Sequence, residues 1–363
     1  MKHYIFLGLV TLGLFSSTAN AYEISKCHGK ATKWDSNNVR LRAASGSFPS
    51  ANAGYGKSLK TTVQHFNQNP SKFRFNLTFG DNSVGYNNGQ NETWATNSNI
   101  GAPAVAFTWS NCYWFFGWHT RIKETDIVFQ ASVPYTTSMN KNNLWGYGGG
   151  SRPFQTTAMH EIGHGSGLKH ENDEYNIMGQ DWTHIHVNGN NARSYLGEDA
   201  ADGLVSLYGT SGNNREDLGL VHWRYSGASG AYSTHSKTRL RNCAGSLLPT
   251  VWDSGERRYR VNPGQCVRLE LTAENNGKSF QSATPINYFL STNDYISTLD
   301  TLLGSGTLSQ SRANVYTFQR TLTIPEWVHS GNNYSLGAVI DPYDGLFEMT
   351  ETNNATYVPI RIN

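Results

Sequence analysis

Apolar positions recur at helical spacing in three stretches of the first half of the chain. Between Ser58 and Asn67, Leu59, Val63 and Phe66 fall three and four residues apart, which predicts a helix, and Pro70 lies just beyond its end. Pro153 to Gly167 predicts a second helix and Glu198 to Tyr208 a third, stopped by Gly209. Asp126-Ile127-Val128-Phe129 reads as a strand and Gly146 to Gly150 as a loop. After Gly209-Thr210-Ser211-Gly212-Asn213-Asn214 the period changes. Short runs at Cys266–Leu271, Ile286–Leu290, Tyr334–Ile340 and Tyr357–Ile362 alternate with turns rich in Asn, Gly and Pro, which predicts an antiparallel β-sandwich. The expected organisation is an α+β domain over 22–210 and an all-β sandwich over 211–363, with 211–220 as the linker between them.

The length of 363 residues suits two domains, and the formal charge of +2 excludes a broad electrostatic footprint for nucleic acid. Aromatic residues make up 12% of the chain, too many for a disordered protein. At the start, Lys2 and His3 precede an apolar run from Tyr4 to Phe15 and a small-x-small end at Ala19 and Ala21. That pattern predicts a secretory signal over residues 1–21, cleaved after Ala21, and a secreted, extracellular chain with no membrane span. Little chain lies between Ala21 and the first predicted elements, so a large propeptide is not expected. Four cysteines in an exported chain favour disulfides and allow three connectivities. Pairing within each half, Cys27 with Cys112 and Cys243 with Cys266, is the simplest if the halves fold separately. The rival reading makes Cys27 an inhibitory thiol on a metal.

The most informative segment is His160-Glu161-Ile162-Gly163-His164-Gly165-Ser166-Gly167-Leu168-Lys169-His170. A helix turns about 400° in four residues, so His160 and His164 project from one face, suited to two corners of a tetrahedral zinc site. His170, six residues on, would face away at about 240° if the helix continued. Gly167 is placed to end it, since glycine adopts the left-handed turn conformation at little cost. Three imidazoles would leave a coordination position open for water, and Glu161 stands beside it as general base. The chemistry this predicts is hydrolysis of a peptide bond by an activated water.

The motif, followed by Asn176-Ile177-Met178-Gly179, resembles that of the metzincin metallopeptidases and their Met-turn, with the short spacing of the matrixin branch. Glu124 to Phe129 is similar to the strand upstream of a matrixin active-site helix, and Asp199 to Gly209 to the closing helix of that branch. The resemblance implies a metzincin catalytic domain over 22–210, with His160, His164 and His170 as ligands of one catalytic Zn2+, Glu161 as the base and Met178 as the floor. It also implies protein or peptide substrates, paired as an added strand along a rim near Ile127. The chain departs from the family at Glu171, where matrixins carry Ser; at Gln180, where astacins carry a tyrosine ligand; and at Ala200, which replaces an acidic residue. Tyr175 precedes Met178 and is not assigned the ligand role. His184 and His186 alternate like one strand face and read as polar loop residues; His119 reads as a packed surface residue. A Ca2+ site near Asp126 and Gly146–Gly150 stays open, although closely spaced carboxylates are lacking.

Tyr288 to Asp294, Asp300, Leu302-Leu303-Gly304, Asp341 to Gly345, Glu348, Glu351, Asn353 and Asn354 resemble the bacterial CARDB domain over about 250–363. That resemblance implies an immunoglobulin-like sandwich that binds a host-surface or matrix ligand, or one that only stabilises its neighbour. Asp294 and Asp300 would then bind calcium or cap turns. The whole is expected to act as a monomeric zinc endopeptidase; the competing expectation is an adhesin whose metzincin core no longer cuts.

Overall fold

The computed structural model describes residues 22–144, 150–171, 176–179, 185–213, 215–221 and 238–363. The segment read as a secretory signal, residues 1–21, lies outside the described residues, as do most of the 146–150 loop, Tyr175, Gln180 and His184. The chain is mostly β.

In the first half, β1 (Lys26–Cys27) and β2 (Lys30–Ala31) form a short hairpin. Five further strands, β3 (Asn38–Ala44), β4 (Arg74–Asp81), β5 (Glu92–Thr96), β6 (Ala104–Trp114) and β7 (Trp118–Gln130), make one sheet in the order β4-β3-β5-β7-β6. All its pairings are parallel except β6 with β7, so β6 is an antiparallel edge. A parallel pair needs a crossover, and α1 (Gly54–Asn67) supplies it between β3 and β4. This helix starts at Gly54 rather than Ser58. Its first turn has no apolar stripe, and Gly56 packs against the Ser50 backbone too closely for any side chain.

Side-chain alternation divides the sheet's two faces. Ile127 and Phe129 enter a core with Leu59, Val63 and Phe66 of α1, and with Phe154, Ala158 and Ile162 of α2 (Phe154–Gly165). Val128, between them, packs on the opposite face with Trp94 and Ala44. Two small pairs complete this half: β8 (Tyr135–Thr136) with β9 (Arg152–Pro153), and β10 (His186–Asn188) with β11 (Asn191–Arg193). The last helix, α3 (Glu198–Tyr208), closes the core with Leu204 and Leu207.

The second half is two sheets around one core. Its strands are β12 (Leu218–Val221), β13 (Arg239–Asn242), β14 (Thr250–Asp253), β15 (Glu256–Val261) and β16 (Cys266–Asn275). They continue with β17 (Gln281–Ser291), β18 (Thr301–Gln310), β19 (Asn314–Thr323), β20 (Asn333–Ile340) and β21 (Ala355–Ile362). β16 pairs with β19 along one edge and with β12 and β13 along the other. The facing sheet runs β14-β15-β21-β20-β17-β18, antiparallel except for β15 with β21. Leu269 and Leu271 of β16 share the core with Leu336 and Ile360. The four strand-like runs found in the sequence lie inside β16, β17, β20 and β21.

The segment read as a linker over 211–220 needs correction. Leu218 and Leu220 are buried, β12 pairs with β16, and the Leu218 N–H donates to Glu348 at 2.5 Å. A four-residue apolar run is too short to show a period, so its partner had to reveal it. The acidic and amide residues singled out near the C-terminus form the receiving corner. Asp341 accepts from the Gly345 and Leu346 backbones, and Glu348 accepts from Asn354.

The halves meet through a small apolar cluster of Leu144, Ile185 and Val187 against Phe289, Ile296 and Tyr357. Asn188 exchanges two hydrogen bonds with the Ile296 backbone, at 2.8 and 2.7 Å. Cys27 is bonded to Cys112 and Cys243 to Cys266, one disulfide within each half. Among the described residues no helix is long and apolar enough to cross a membrane.

Candidate metal centre

Helix α2 carries His160, Glu161 and His164, and its end decides where His170 goes. The helix stops at Gly165, one turn residue before Gly167, which sits at φ +102°. The Gly167 N–H donates to the His164 carbonyl (2.9 Å) and the Leu168 N–H to the Gly163 carbonyl (3.2 Å), the paired bonds of a Schellman ending. A side chain at Gly167 would also meet the Thr32 carbonyl at 2.9 Å. Two more carbonyls at this end are satisfied from afar: Gly165 by Trp34 Nε1 (2.9 Å) and Ser166 by the Tyr208 hydroxyl (2.6 Å). The chain then reverses alongside residues 23–25. Lys169 N–H bonds the Glu23 carbonyl and Ser25 N–H the Gly167 carbonyl, both at 2.9 Å.

This reversal brings the three histidines together. His160 Nε2 lies 3.0 Å from His164 Nε2 and 3.1 Å from His170 Nε2. The far nitrogens of the helical pair are engaged by the backbone. His160 Nδ1 donates to the Ile177 carbonyl (2.7 Å) and His164 Nδ1 to the Leu168 carbonyl (2.9 Å). A carbonyl only accepts, so each Nδ1 carries the proton and each neutral ring turns an Nε2 lone pair inward. Two lone pairs 3.0 Å apart repel each other unless a cation lies between them. The donor set therefore fits a divalent metal that prefers nitrogen, and His160, His164 and His170 are the residues that would hold it. Burial, reinforced by the neighbouring histidine charges, pushes the His160 pKa down to about 3; burial likewise lowers His164 to about 4. Both rings stay neutral at physiological pH.

Glu161 is buried, and burial raises its pKa to about 7 against the opposing Ala106 backbone hydrogen bond and Arg152 charge. It lines the same open cleft of about 620 Å³ as the three histidines. Ala104, Ala106 and Thr108 form the cleft's other wall, so the rim is the edge strand β6. This corrects the expectation of a rim at Ile127, which sits one strand further in and is fully covered. In an antiparallel edge, alternate residues turn their backbone groups outward, and the Ala106 N–H turns to the Glu161 carboxylate.

Met178 is buried beneath Gly163, and its own N–H is held by Asn176 Oδ1 at 2.7 Å. Glu171, after the third histidine, is buried and bonds the Met178 carbonyl through its backbone N–H (3.2 Å). The sequence reading missed Arg152, which lines the cleft and donates from Nε to Thr157 Oγ1 (3.1 Å). Its only signal was a cation just before an apolar helix.

The remaining candidates lie elsewhere. His186 is buried between the halves, with Nδ1 donating to the Leu220 carbonyl at 3.0 Å. His119 is exposed, stacked on Tyr113. Asp126 is buried within β7 and accepts from the Asn87 and Glu92 backbones. Asp300 caps a turn by accepting from Ser297 N–H (2.7 Å), and Asp294 is bonded by Lys141 (2.8 Å). Among the described residues the only other metal-spaced group is Cys27, His28 and Cys112, whose cysteines are joined to each other.

No protein-family profile matches the chain, and no curated protein matches it. Among solved structures, the chain is similar to the CARDB domain of a Pyrococcus furiosus protein in complex with di-metal ions. The identity is 13%, over 41% of this chain and 89% of that one, with a TM-score of 0.26. A lytic polysaccharide monooxygenase from Streptomyces lividans matches at 19% identity over 34% of this chain and 63% of that one, with a TM-score of 0.18. At such scores the architecture rests on the strand pairing described above.

Proposed function

We propose that this chain is a secreted zinc endopeptidase of the metzincin type that cleaves extracellular proteins. The observation that carries the reading is the convergence of three imidazole Nε2 atoms beside a buried glutamate, at the foot of an exposed strand edge. A bound zinc ion would supply a Lewis acid and an acidified water. His160, His164 and His170 would hold the ion. Glu161, whose raised pKa suits proton transfer near neutrality, takes a proton from the attacking water and delivers it to the leaving amine. The outward backbone groups of β6 align an extended peptide across the cleft. Arg152 keeps the Glu161 carboxylate partly ionised.

The second half we read as a buttress. It covers the loop carrying Lys141 and the β10–β11 hairpin, and Tyr195, just before α3, hydrogen-bonds Thr352. All three belong to the half that bears the histidines.

The test compares casein cleavage and zinc content in wild type and Glu161→Gln. The variant is expected to keep about one zinc per chain while losing about 10²–10⁴-fold in rate. Equal activity in the two proteins, or cleavage by a zinc-free preparation, would end the endopeptidase reading.

A further inference from the structure

The β6–β7 hairpin runs past the sheet and ends in a cap of aromatic rings. Trp114 is 66% exposed, Phe115 63% and Phe116 95%. Phe116 occupies the apex in a left-handed conformation (φ +48°) that a bulky side chain rarely adopts. The cap stands on a stiff base. Cys112, two residues before Trp114, is bonded to Cys27, and Trp118 stacks on His28 with centroids 3.5 Å apart. Eight residues separate Phe116 from Thr108 in the cleft wall, a reach of roughly 26 Å along a strand.

We propose that this hairpin tip is a membrane-docking element that inserts its rings into the interface of an anionic lipid bilayer. Three observations favour a bilayer over other partners. The tip is convex, so it offers no groove for a peptide. Its rings are crossed, at 76° for both Trp114–Trp118 and Phe115–Phe116, so they form no flat platform for a sugar. The surrounding charge is predominantly positive: Lys26, Lys30 and Lys123 are exposed around the base, residues 24–34 and 93–123 contain no Asp or Glu, and Asp35 is paired with Arg121 at 3.1 Å. Aromatic rings backed by lysines match the apolar boundary and negative headgroups of such a membrane. The inference is independent of the peptidase reading and is tested without measuring activity.

The full chain, with its disulfides, is sedimented with vesicles of phosphatidylcholine alone or mixed equally with phosphatidylserine. Wild type is expected to pellet with the mixed vesicles, less so in high salt, and with tryptophan fluorescence quenched by brominated lipid. The triple substitution Trp114→Ser, Phe115→Ser, Phe116→Ser, confined to exposed positions, should lose at least about tenfold in partitioning. Lys26→Ala and Lys30→Ala leave the tip intact and should each cost about fivefold. Failure of wild type to bind mixed vesicles, or equal binding by the triple variant, overturns the proposal. So does tip-dependent retention on a polysaccharide matrix without vesicle binding.

Discussion

Gly163 and Met178 touch beneath the histidines with no room for a methyl group between them. Met178 follows Ile177, whose carbonyl holds the His160 ring by Nδ1. A side chain at position 163 would push on the Met178 thioether, which is only 2% exposed and has little space to yield. The displacement would pass to the carbonyl that orients a ligand. Gly163→Ala is therefore expected to weaken zinc binding by about tenfold or more. Competition with a chelating dye measures it; unchanged affinity would show that the thioether moves without the backbone.

Lys141 joins the halves through charge. Its Nζ is 3.0 Å from Glu256 Oε1 and 2.8 Å from Asp294 Oδ2, and it also contacts the Tyr357 hydroxyl. Lys141 and Glu256 are almost wholly buried. Burial works against ionisation of Asp294, but hydrogen bonds from Lys141 and Ser335 and the Lys141 and Arg258 charges hold its pKa below the usual range. Lys141→Met should cost about 3 kcal/mol in urea unfolding, since it leaves buried carboxylates short of a cation. Adding Glu256→Gln should recover part of that loss, a coupling that a double-mutant cycle reads directly.

The two disulfides close loops of different length, with sequence separations of 85 and 23. Loop-closure entropy assigns about 4.6 kcal/mol to the first and about 3.4 kcal/mol to the second. Replacing both cysteines of a pair by serine should thus destabilise the protein more at Cys27–Cys112 than at Cys243–Cys266. Calorimetry that finds the reverse order would place the larger effect in the folded state.

One corner of the second half should contribute a loss of stability between about pH 4 and pH 7. Burial pushes Asp217 up to about 7, despite hydrogen bonds from Asn276, Asn353 and the Thr350 backbone. Burial and the Asp217 charge also raise Glu348. Through that window these two carboxyls bind more protons folded than unfolded, so their contribution to the unfolding free energy drops as pH rises. Asp217→Asn should flatten the slope in urea titrations at stepped pH; an unchanged slope would assign it to other groups.

Much of the helical content was legible because helices carry their own period. Leu59, Val63 and Phe66 marked α1, and Gly209 marked the end of α3. Strands were legible only where several apolar residues stood together, as in β16 and β20. β18, rich in Ser, Thr and Gly, and β19, interrupted by Thr, Gln and Arg, escaped notice because one side of each faces solvent. β12 escaped because its partner lies some fifty residues away in the chain.

The sequence by itself determined which histidines could share one helix face and where the helix must break, because both depend on local spacing and backbone freedom. The tertiary structure decided the rest: which strand edge faces the histidines, which carbonyls fix their rings, and how the halves lock through Lys141. Those outcomes depend on contacts between segments distant in the chain, and no local pattern of residues encodes such contacts.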